Sequence, residues 1–134
     1  MTDEVQSERF IQGSATIVPV RDVAATVAFY VEVLGFEKRE LSEDGSFGLV
    51  ACGEVGVMLL RCDDEAALAA TARNISVYVW VDGVDAYYEA LKPRLDGLPK
   101  GRVRAPFDQP YGMREFHVKD PDGCLLFFGE ETTS

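Results

Sequence analysis

The two halves of the chain carry the same pattern of apolar residues. At a constant offset of 61 residues, Val18, Val20, Val23, Ala25 and Leu34 recur as Val79, Val81, Val84, Ala86 and Leu95. In each half this pattern is typical of a strand followed by a helix. Because internal repetition indicates repeated structural units, and because 134 residues is a length typical of one domain, we expect two similar modules in one domain, with a cleft between and beneath them.

Each half predicts the element order β-α-β-β-β. In the first half, Asp22 is placed to cap the helix and Gly35 to end it. In the second half, Pro93 is predicted to end or bend the helix. Residues 63–74 are predicted to form a short connecting helix, and residues 120–123 to form the turn of a hairpin. With one helix for four strands, each helix covers one face of its sheet, and the opposite, concave face is left to curl around a cavity.

The predicted fold class is therefore α+β, with two βαβββ modules forming a curved mixed sheet around a cleft. Residues 14–130 are assigned to a single domain made of two repeats, about 14–62 and 74–130. Residues 1–13 are predicted to be an N-terminal arm, and residues 131–134 a C-terminal tail.

Composition excludes several classes of partner. The chain has 23 acidic and 13 basic residues and a formal net charge of −10, which disfavours nucleic acid and favours a cationic ligand. No apolar stretch approaches the roughly 20 residues that span a bilayer, and the polar N-terminus lacks signal-peptide character. The three cysteines have no CxxC spacing and are typical of reduced thiols. We therefore expect a cytoplasmic protein without membrane association.

Three stretches of the sequence resemble a known superfamily. They are RDVAATVAFYVEVLGF, NISVYVWVDGVD and QPYGMREFHVKDPDGCLLFFGEE. All three are similar to the vicinal oxygen chelate superfamily, which includes glyoxalase I, extradiol dioxygenases and fosfomycin-resistance enzymes. The likeness covers about residues 14–130, and the second half is particularly similar to the bleomycin resistance proteins. The resemblance implies a homodimer with two ligand clefts at the subunit interface.

The resemblance also locates the positions where the metal enzymes of this superfamily place His, Gln or Glu. These positions lie in the first and last strand of each module, and here they are occupied by Ala15, Leu59, Ser76 and Phe127. None of these side chains suits a divalent ion, which prefers imidazole, carboxylate or thiolate. No metal and no other cofactor is therefore expected at this centre.

Side-chain alternation along the strands predicts which residues face the cleft. Because Ser76 is expected on the concave face, Tyr78 and Trp80 are expected on the same face, and the intervening valines are expected beneath the helix. In the first module, the same parity places Leu59 and Arg61 on the concave face.

The hairpin near the C-terminus extends this prediction. Pairing of Asp120 with Cys124 across the turn sets His117 opposite Phe127, so both face the cleft together with Glu115. His117 is the only histidine of the chain, and it is interpreted either as a partly exposed strand residue or as a hydrogen-bonding group for a ligand.

Two more aromatic residues come from the resemblance to bleomycin resistance proteins. Tyr111 corresponds to a ring that would stack on a bithiazole, and Phe47 corresponds to a second aromatic between strands two and three. A further aromatic of the family falls near Glu40 and Leu41 here, and Met113 is an insertion. The candidate ligand-binding residues are Phe47, Arg61, Tyr78, Trp80, Tyr111, Glu115, His117 and Phe127.

These observations predict a metal-independent binding protein that sequesters a bleomycin-like antibiotic. Stacked rings suit a flat aromatic guest, and the carboxylates favour a cationic one. Two alternatives stay open. One is an enzyme of the same superfamily, such as a lyase, isomerase, dioxygenase or transferase, that uses His117, Glu115 or Arg61 without metal or has a metal site in another place. The other is a binder of a different aromatic metabolite.

Overall fold

The computed structural model describes residues 4–132, and the predicted arm and tail reach beyond it at residues 1–3 and 133–134. A short 3-10 turn, Ser7–Arg9, precedes the modules. Module 1 contains β1 (Ser14–Val20), α1 (Val23–Glu32), β2 (Glu37–Leu41), β3 (Phe47–Cys52) and β4 (Val55–Arg61). A connecting helix, α2 (Glu65–Asn74), leads to module 2. Module 2 contains β5 (Ser76–Trp80), α3 (Val84–Leu95), β6 (Val103–Asp108), β7 (Met113–Lys119) and β8 (Leu125–Glu131).

The strands form two mixed sheets, one in each module. Their orders are β1-β4-β3-β2 and β5-β8-β7-β6, with the first strand parallel to the last in both cases. The α+β class and the two βαβββ modules are thus confirmed, as separate four-stranded sheets. No helix within residues 4–132 has the length and apolar character to cross a bilayer, since even α3 has only 12 residues.

The helix ends follow from particular residues. The Asp22 carboxylate accepts a hydrogen bond from the Ala25 amide at 3.0 Å and caps α1 as predicted. Helix α3 has no side-chain cap of its own, because Gly83 precedes it. Glu130 of β8 instead accepts hydrogen bonds from the Gly83 and Val84 amides at 2.9 and 3.0 Å. This carboxylate suits the positive end of the α3 dipole and ties the helix to its sheet.

Pro93 does not end α3, which continues to Leu95. The proline lies in the last turn of the helix, so the missing N–H costs only one hydrogen bond near an end that is already incomplete.

The helix-covered faces of both sheets share one hydrophobic core. Buried residues of both modules form a single cluster, in which Tyr87 of α3 contacts the stacked pair Phe116 and Phe128. The Tyr87 hydroxyl also donates to the Leu34 carbonyl at 3.0 Å, which links α3 to the segment after α1.

The core does not fill all the space between the modules, because an apolar pocket of about 260 Å³ lies there between Phe36 and Val55 of module 1 and Val81 of module 2. The two concave faces lie outside this core. Ile17 and Trp80, on those faces, are 57% and 76% exposed.

In strand β4, the side chains that face the core are the ones that were predicted to face the cleft. β4 is parallel to β1, with Val18 beside Leu59 and Ile17 beside Met58. Val18 and Leu59 are both fully buried in the shared core, whereas Ile17 is exposed. Gly48 pairs with Leu59 from the other side, and a Cβ on Gly48 would collide with α1. Leu59 therefore lies beneath the helix, and Met58 is on the concave face.

The prediction that Leu59 and Arg61 face the cleft is wrong by one residue. The segment 55–61 is apolar at both parities, so its alternation does not reveal which face is buried; the pairing with β1 decides it. Arg61 follows Leu59 by two residues and shares its face, where its guanidinium lies 4.0 Å from Asp63.

A polar cluster is buried where the two modules meet. Asp120 is fully buried, and its Oδ1 accepts hydrogen bonds from the amides of Asp122 and Cys124, both at 2.9 Å. Its Oδ2, the Tyr30 hydroxyl and Arg102 Nη2 are buried without a hydrogen-bond partner among the described residues. Burial raises the pKa of Asp120 to about 6, although the two amide bonds oppose the shift.

This shift predicts a pH-dependent stability. An unfolded aspartic acid titrates near ~4, so between pH 4 and 6 the folded state holds the Asp120 proton more tightly than the unfolded state. The contribution of Asp120 is therefore present below pH 4 and is lost as the pH rises through about 6. Relative to Asp120→Asn, which stays neutral, the wild type should lose about 2–3 kcal/mol of unfolding free energy between pH 4 and 7. Urea denaturation at several pH values measures this difference.

A matched control is Asp82→Asn, because Asp82 is exposed and precedes α3. Its stability should follow the wild type at every pH. Parallel curves for Asp120→Asn and the wild type would contradict the assignment of this titration to Asp120.

Candidate functional site

Most of the predicted ligand-binding residues meet on the concave face of module 2. Strand pairing places Phe127 between Tyr78 of β5 and His117 of β7. Glu115 lies two residues before His117, opposite Gly129. The six residues brought together are Tyr78, Trp80, Tyr111, Glu115, His117 and Phe127.

The rings on this face form a continuous platform. Phe127 stacks on Tyr78, with ring centroids 5.6 Å apart and an interplanar angle of 24°. On its other side it contacts the His117 ring at 4.2 Å. Trp80 extends the platform at one end, where its ring centroid lies 5.2 Å from that of Tyr78. At the other end, Phe107 of β6 contacts the His117 ring edge to face, with centroids 5.0 Å apart. Of these rings, Trp80 is the most exposed at 76%, so it offers the largest ring surface to a flat apolar guest.

Beneath the platform, the Glu115 carboxylate binds four donors. Its Oε2 accepts hydrogen bonds from the Tyr78 hydroxyl at 2.8 Å and the Tyr111 hydroxyl at 2.7 Å. Its Oε1 accepts from Gln109 Nε2 at 3.0 Å and pairs with His117 Nε2 at 2.8 Å. Side chains from the two strands β5 and β7 and from the loop before β7 thus bond to one carboxylate.

These bonds determine the charge state of the cluster. Burial raises the pKa of Glu115, but hydrogen bonds from His117, Gln109, Tyr111 and Tyr78 outweigh it and lower the pKa to about 2. Burial, the hydrogen bond and the negative charge raise the pKa of Tyr78, and the hydrogen bond to Glu115 raises that of Tyr111. The carboxylate is therefore ionised and both phenols are neutral at physiological pH. Because a carboxylate only accepts, His117 must donate through Nε2.

Glu115 lies on the predicted face, but it is fully buried. It therefore meets no guest directly in this conformation and instead holds the side chains that surround it. Gln109 was not singled out from the sequence, because a loop residue next to a proline has no periodic pattern to show where it points.

The loop before β7 presents Tyr111. The Gln109 amide donates to the Met113 carbonyl at 2.7 Å, and Gly112 adopts a φ of +84°, which favours glycine. The Gly112 carbonyl in turn accepts from the Thr132 amide at 2.9 Å. With its hydroxyl anchored on Glu115, Tyr111 is still 59% exposed, so part of its ring is available for stacking.

Phe47 lies apart from the other candidates. It occupies the concave face of module 1, where β3 sets it beside Leu60 and sets Leu49 beside Met58. This face is largely apolar and belongs to a different sheet from the platform of module 2. Within one chain, Phe47 therefore does not join the cluster around Glu115.

The resemblance puts the superfamily's metal positions at Ala15, Leu59, Ser76 and Phe127. In the observed register, Met58 and not Leu59 occupies the place in module 1 that Phe127 occupies in module 2. A methyl, a thioether, a hydroxyl and a phenyl group do not make a donor set for a divalent ion. Within residues 4–132, no three His, Cys, Asp or Glu side chains are grouped so that they could hold a metal. The residues present therefore do not fit the metal centre of the superfamily's enzymes.

Comparison with known proteins agrees with this fold. Residues 13–128 match the Glyoxalase/Bleomycin resistance protein/Dioxygenase superfamily, and the chain belongs to it. Within that superfamily, the chain is 30% identical to the bleomycin resistance proteins of Geobacillus stearothermophilus and Staphylococcus aureus. These alignments cover 90% of this chain and 98% of each relative.

Solved structures show the same architecture. The bleomycin-binding protein from bleomycin-producing Streptomyces verticillus, complexed with copper(II)-bleomycin, is 26% identical to this chain with a TM-score of 0.71. The match covers 92% of this chain and 98% of that one. A bleomycin-binding protein complexed with bleomycin has a TM-score of 0.73 over 90% of this chain and 99% of its own. At 24% identity, it shows a likeness of fold alone.

Proposed function

We propose that this protein binds a flat aromatic antibiotic of the bleomycin class on the concave face of module 2 and sequesters it without making or breaking a bond. The observation that carries the proposal is the continuous ring platform, whose polar groups are hydrogen-bonded to one another around Glu115. A ligand can stack there without breaking these bonds. The bleomycin resistance proteins that resemble the chain support the same class of ligand.

The hydrogen bonding also disfavours Glu115 as a general base. His117 and Glu115 are the titratable pair nearest the platform, and they are bonded to each other at 2.8 Å. A general base needs a free lone pair within reach of the substrate, whereas Glu115 is buried and accepts from four donors. The pair is therefore suited to holding the platform in place.

A homodimer would complete the site. The concave faces expose Ile17 and Leu60 in module 1 and Trp80 in module 2, and the N-terminal arm exposes Phe10 and Ile11. These exposed apolar side chains are the ones that a second copy would cover. A second copy could place its Phe47 over the platform, so that each guest lies between two subunits. The three free thiols suit a cytoplasmic location for this dimer.

The charge expected of the guest depends on module 1. The carboxylate on the module 2 face is fully engaged, so it does not attract a cation to the surface. On module 1, Glu37 and Glu40 of the edge strand pair with Ala51 and Leu49 on the concave side. Because Glu37 already forms an ion pair with Arg39 at 3.5 Å, we propose that Glu40 meets the cationic part of a bleomycin-like guest.

Titration with metal-free bleomycin tests the proposal. Trp80 is the only tryptophan of the chain and is exposed beside Tyr78, so its emission should be quenched in a saturable way. Tyr111→Ala should weaken binding by about 1 kcal/mol or more through loss of a stacking ring. Tyr111→Phe keeps the ring and should lose less affinity. Unchanged emission with every bleomycin-class drug would reject this ligand class, and unchanged affinity in Tyr111→Ala would remove Tyr111 from the site.

A further inference from the structure

The concave face of module 2 carries a concentration of positive charge at one of its ends. This basic end lies where β6 and β8 begin and β7 ends, and it contains a groove of about 260 Å³. The groove is lined by Gly101, Arg102, Val103, Arg104, His117, Lys119 and Leu125. Arg104 pairs with His117 and Lys119 pairs with Leu125, so these side chains share the face that carries Phe127.

Two cations of the basic end have no carboxylate partner. Arg104 and Lys119 are both exposed, and neither forms an ion pair within residues 4–132. Arg102 contributes less positive charge to the surface, because the buried Asp120 carboxylate lies close enough to attract its guanidinium. In a chain with a net charge of −10, the basic end is therefore a local reversal of charge.

The opposite end of the module 2 sheet, where β5 ends at Trp80, is acidic. Asp82 is exposed two residues after Trp80, and it takes part in no ion pair among the described residues. At the same end of the sheet, Asp85 and Asp108 share the single guanidinium of Arg114, each at 3.1 Å. Two carboxylates on one cation leave a net negative charge there.

The two ends also differ in the ring faces that they offer to a cation. The Arg104 guanidinium carbon lies 3.5 Å from the centroid of the Phe107 ring, so the protein's own cation already occupies that ring face. Trp80 is 76% exposed, and no cation of the described residues lies over its ring. Because tryptophan is the ring that attracts a cation most strongly, the Trp80 end is the favourable one for a positive group.

We infer that this difference between the two ends fixes the direction in which a cationic aromatic guest lies on the platform. Its rings stack on the platform, and its positive group lies at the Trp80 end. At the basic end, Arg104 and Lys119 repel a positive group. At the Trp80 end, the exposed ring face and Asp82 attract it.

The length of the face makes the two directions distinct. Trp80 pairs with Gly129, which lies four residues beyond Leu125 on β8, so the two ends are roughly 13 Å apart. A bicyclic guest with one charged substituent therefore places its charge at only one end. This inference rests on the proposed function and extends it, because it makes Arg104 and Lys119 determinants of the orientation of the guest.

Two naphthalene probes of matched shape test the inference: cationic 2-naphthylmethylammonium and neutral 2-naphthalenemethanol. In isotope-filtered NMR spectra of the wild type, the aminomethyl protons of the cationic probe should show NOEs to the Trp80 indole and none to the Leu125 methyl groups. In Arg104→Gln/Lys119→Gln, NOEs to Leu125 should appear as well. Calorimetric titration should show that the affinity of the cationic probe, relative to the alcohol, rises about threefold or more in this variant.

A matched control removes the same charge elsewhere on the chain. In Lys38→Gln/Arg73→Gln, the NOEs should stay confined to Trp80, and the affinity ratio of the two probes should match the wild type, because distant exposed charges are screened by salt. Thermal melts of both double variants check that they fold.

The other outcomes overturn the inference. If the aminomethyl protons contact Trp80 and Leu125 equally in the wild type, the guest has no fixed direction, while aromatic binding stands. If Arg104→Gln/Lys119→Gln keeps NOEs to Trp80 alone and the wild-type affinity ratio, these two cations do not set the orientation. If neither probe binds beside Trp80 or Leu125, the aromatic platform itself fails, and the inference fails with the proposed function.

Discussion

Replacement of Glu115 by alanine is expected to lower the free energy of unfolding by about 4 kcal/mol, because four donors lose their common acceptor inside a buried site. The Tyr78 and Tyr111 hydroxyls, Gln109 Nε2 and His117 Nε2 all bond to this carboxylate at 2.7–3.0 Å. Without it, the Tyr111 loop and the His117 ring lose their anchor. Binding of an aromatic guest should therefore weaken by more than about tenfold even though Glu115 does not touch the guest.

Chemical denaturation measures the first effect, and titration at a temperature where the variant is fully folded measures the second. Glu131→Ala is the matched control, since Glu131 is exposed on the paired strand β8. It should change neither quantity appreciably. Glu115→Gln keeps the shape of the side chain and one acceptor oxygen, so its losses should be smaller than those of Glu115→Ala. Wild-type affinity in folded Glu115→Ala would show that the carboxylate does not position the platform.

Gly129→Ala is expected to disrupt the same network from the other side. A Cβ at this position would overlap the Tyr78 hydroxyl and come within 3.0 Å of Glu115 Cγ. Tyr78 cannot move away without breaking its hydrogen bond to the buried carboxylate. We therefore expect a loss of about 3 kcal/mol in unfolding free energy, at the upper end for overpacking of a core. Because Tyr78 carries the stacked Phe127, guest binding should fall by about tenfold or more.

Gly48→Ala provides a matched overpacking control in module 1. Its Cβ would come 2.8 Å from Val27 Cγ2 and 2.9 Å from Val23 Cγ1, so it should destabilise the packing of α1 on its sheet. It lies outside the platform, and the folded fraction should bind the guest normally. Gly13→Ala, with no atom within 4 Å of the added Cβ, should be neutral in both assays. Equal losses of affinity in Gly129→Ala and Gly48→Ala would mean that binding follows stability rather than the position of Tyr78.

Glu115→Ala and Gly129→Ala both test one feature of the protein. The binding surface is held in position by the charged Glu115 carboxylate, which is buried beneath it. The hydrogen bonds around Glu115 fix the rings before a guest binds. Preorganisation of this kind reduces the conformational entropy that the side chains lose on binding. The surface left to the guest is then aromatic, with the positive charges of Arg104 and Lys119 at one end.

Alternation along individual strands predicted much of the site. In β5, valine at every second position indicates the helix side, so Tyr78 and Trp80 were expected on the concave face, where the structure places them. The turn after Asp120 set the hairpin register, and His117 pairs with Phe127 as expected. In β4, both parities are apolar, and the same reasoning chose Leu59 where the structure has Met58. Alternation is informative only where the two faces of a strand differ in polarity.

The sequence by itself determined the repeated modules, their α+β class and the aromatic face of module 2, because these follow from local periodicity and turn residues. Only the tertiary structure decided that Glu115 is the buried centre of the site. Its four donors come from β5, β7 and the loop before β7, and the hydroxyl of Tyr78 is 37 residues away along the chain. Whether a carboxylate meets solvent, a guest or its own chain depends on distances between segments that no local pattern encodes.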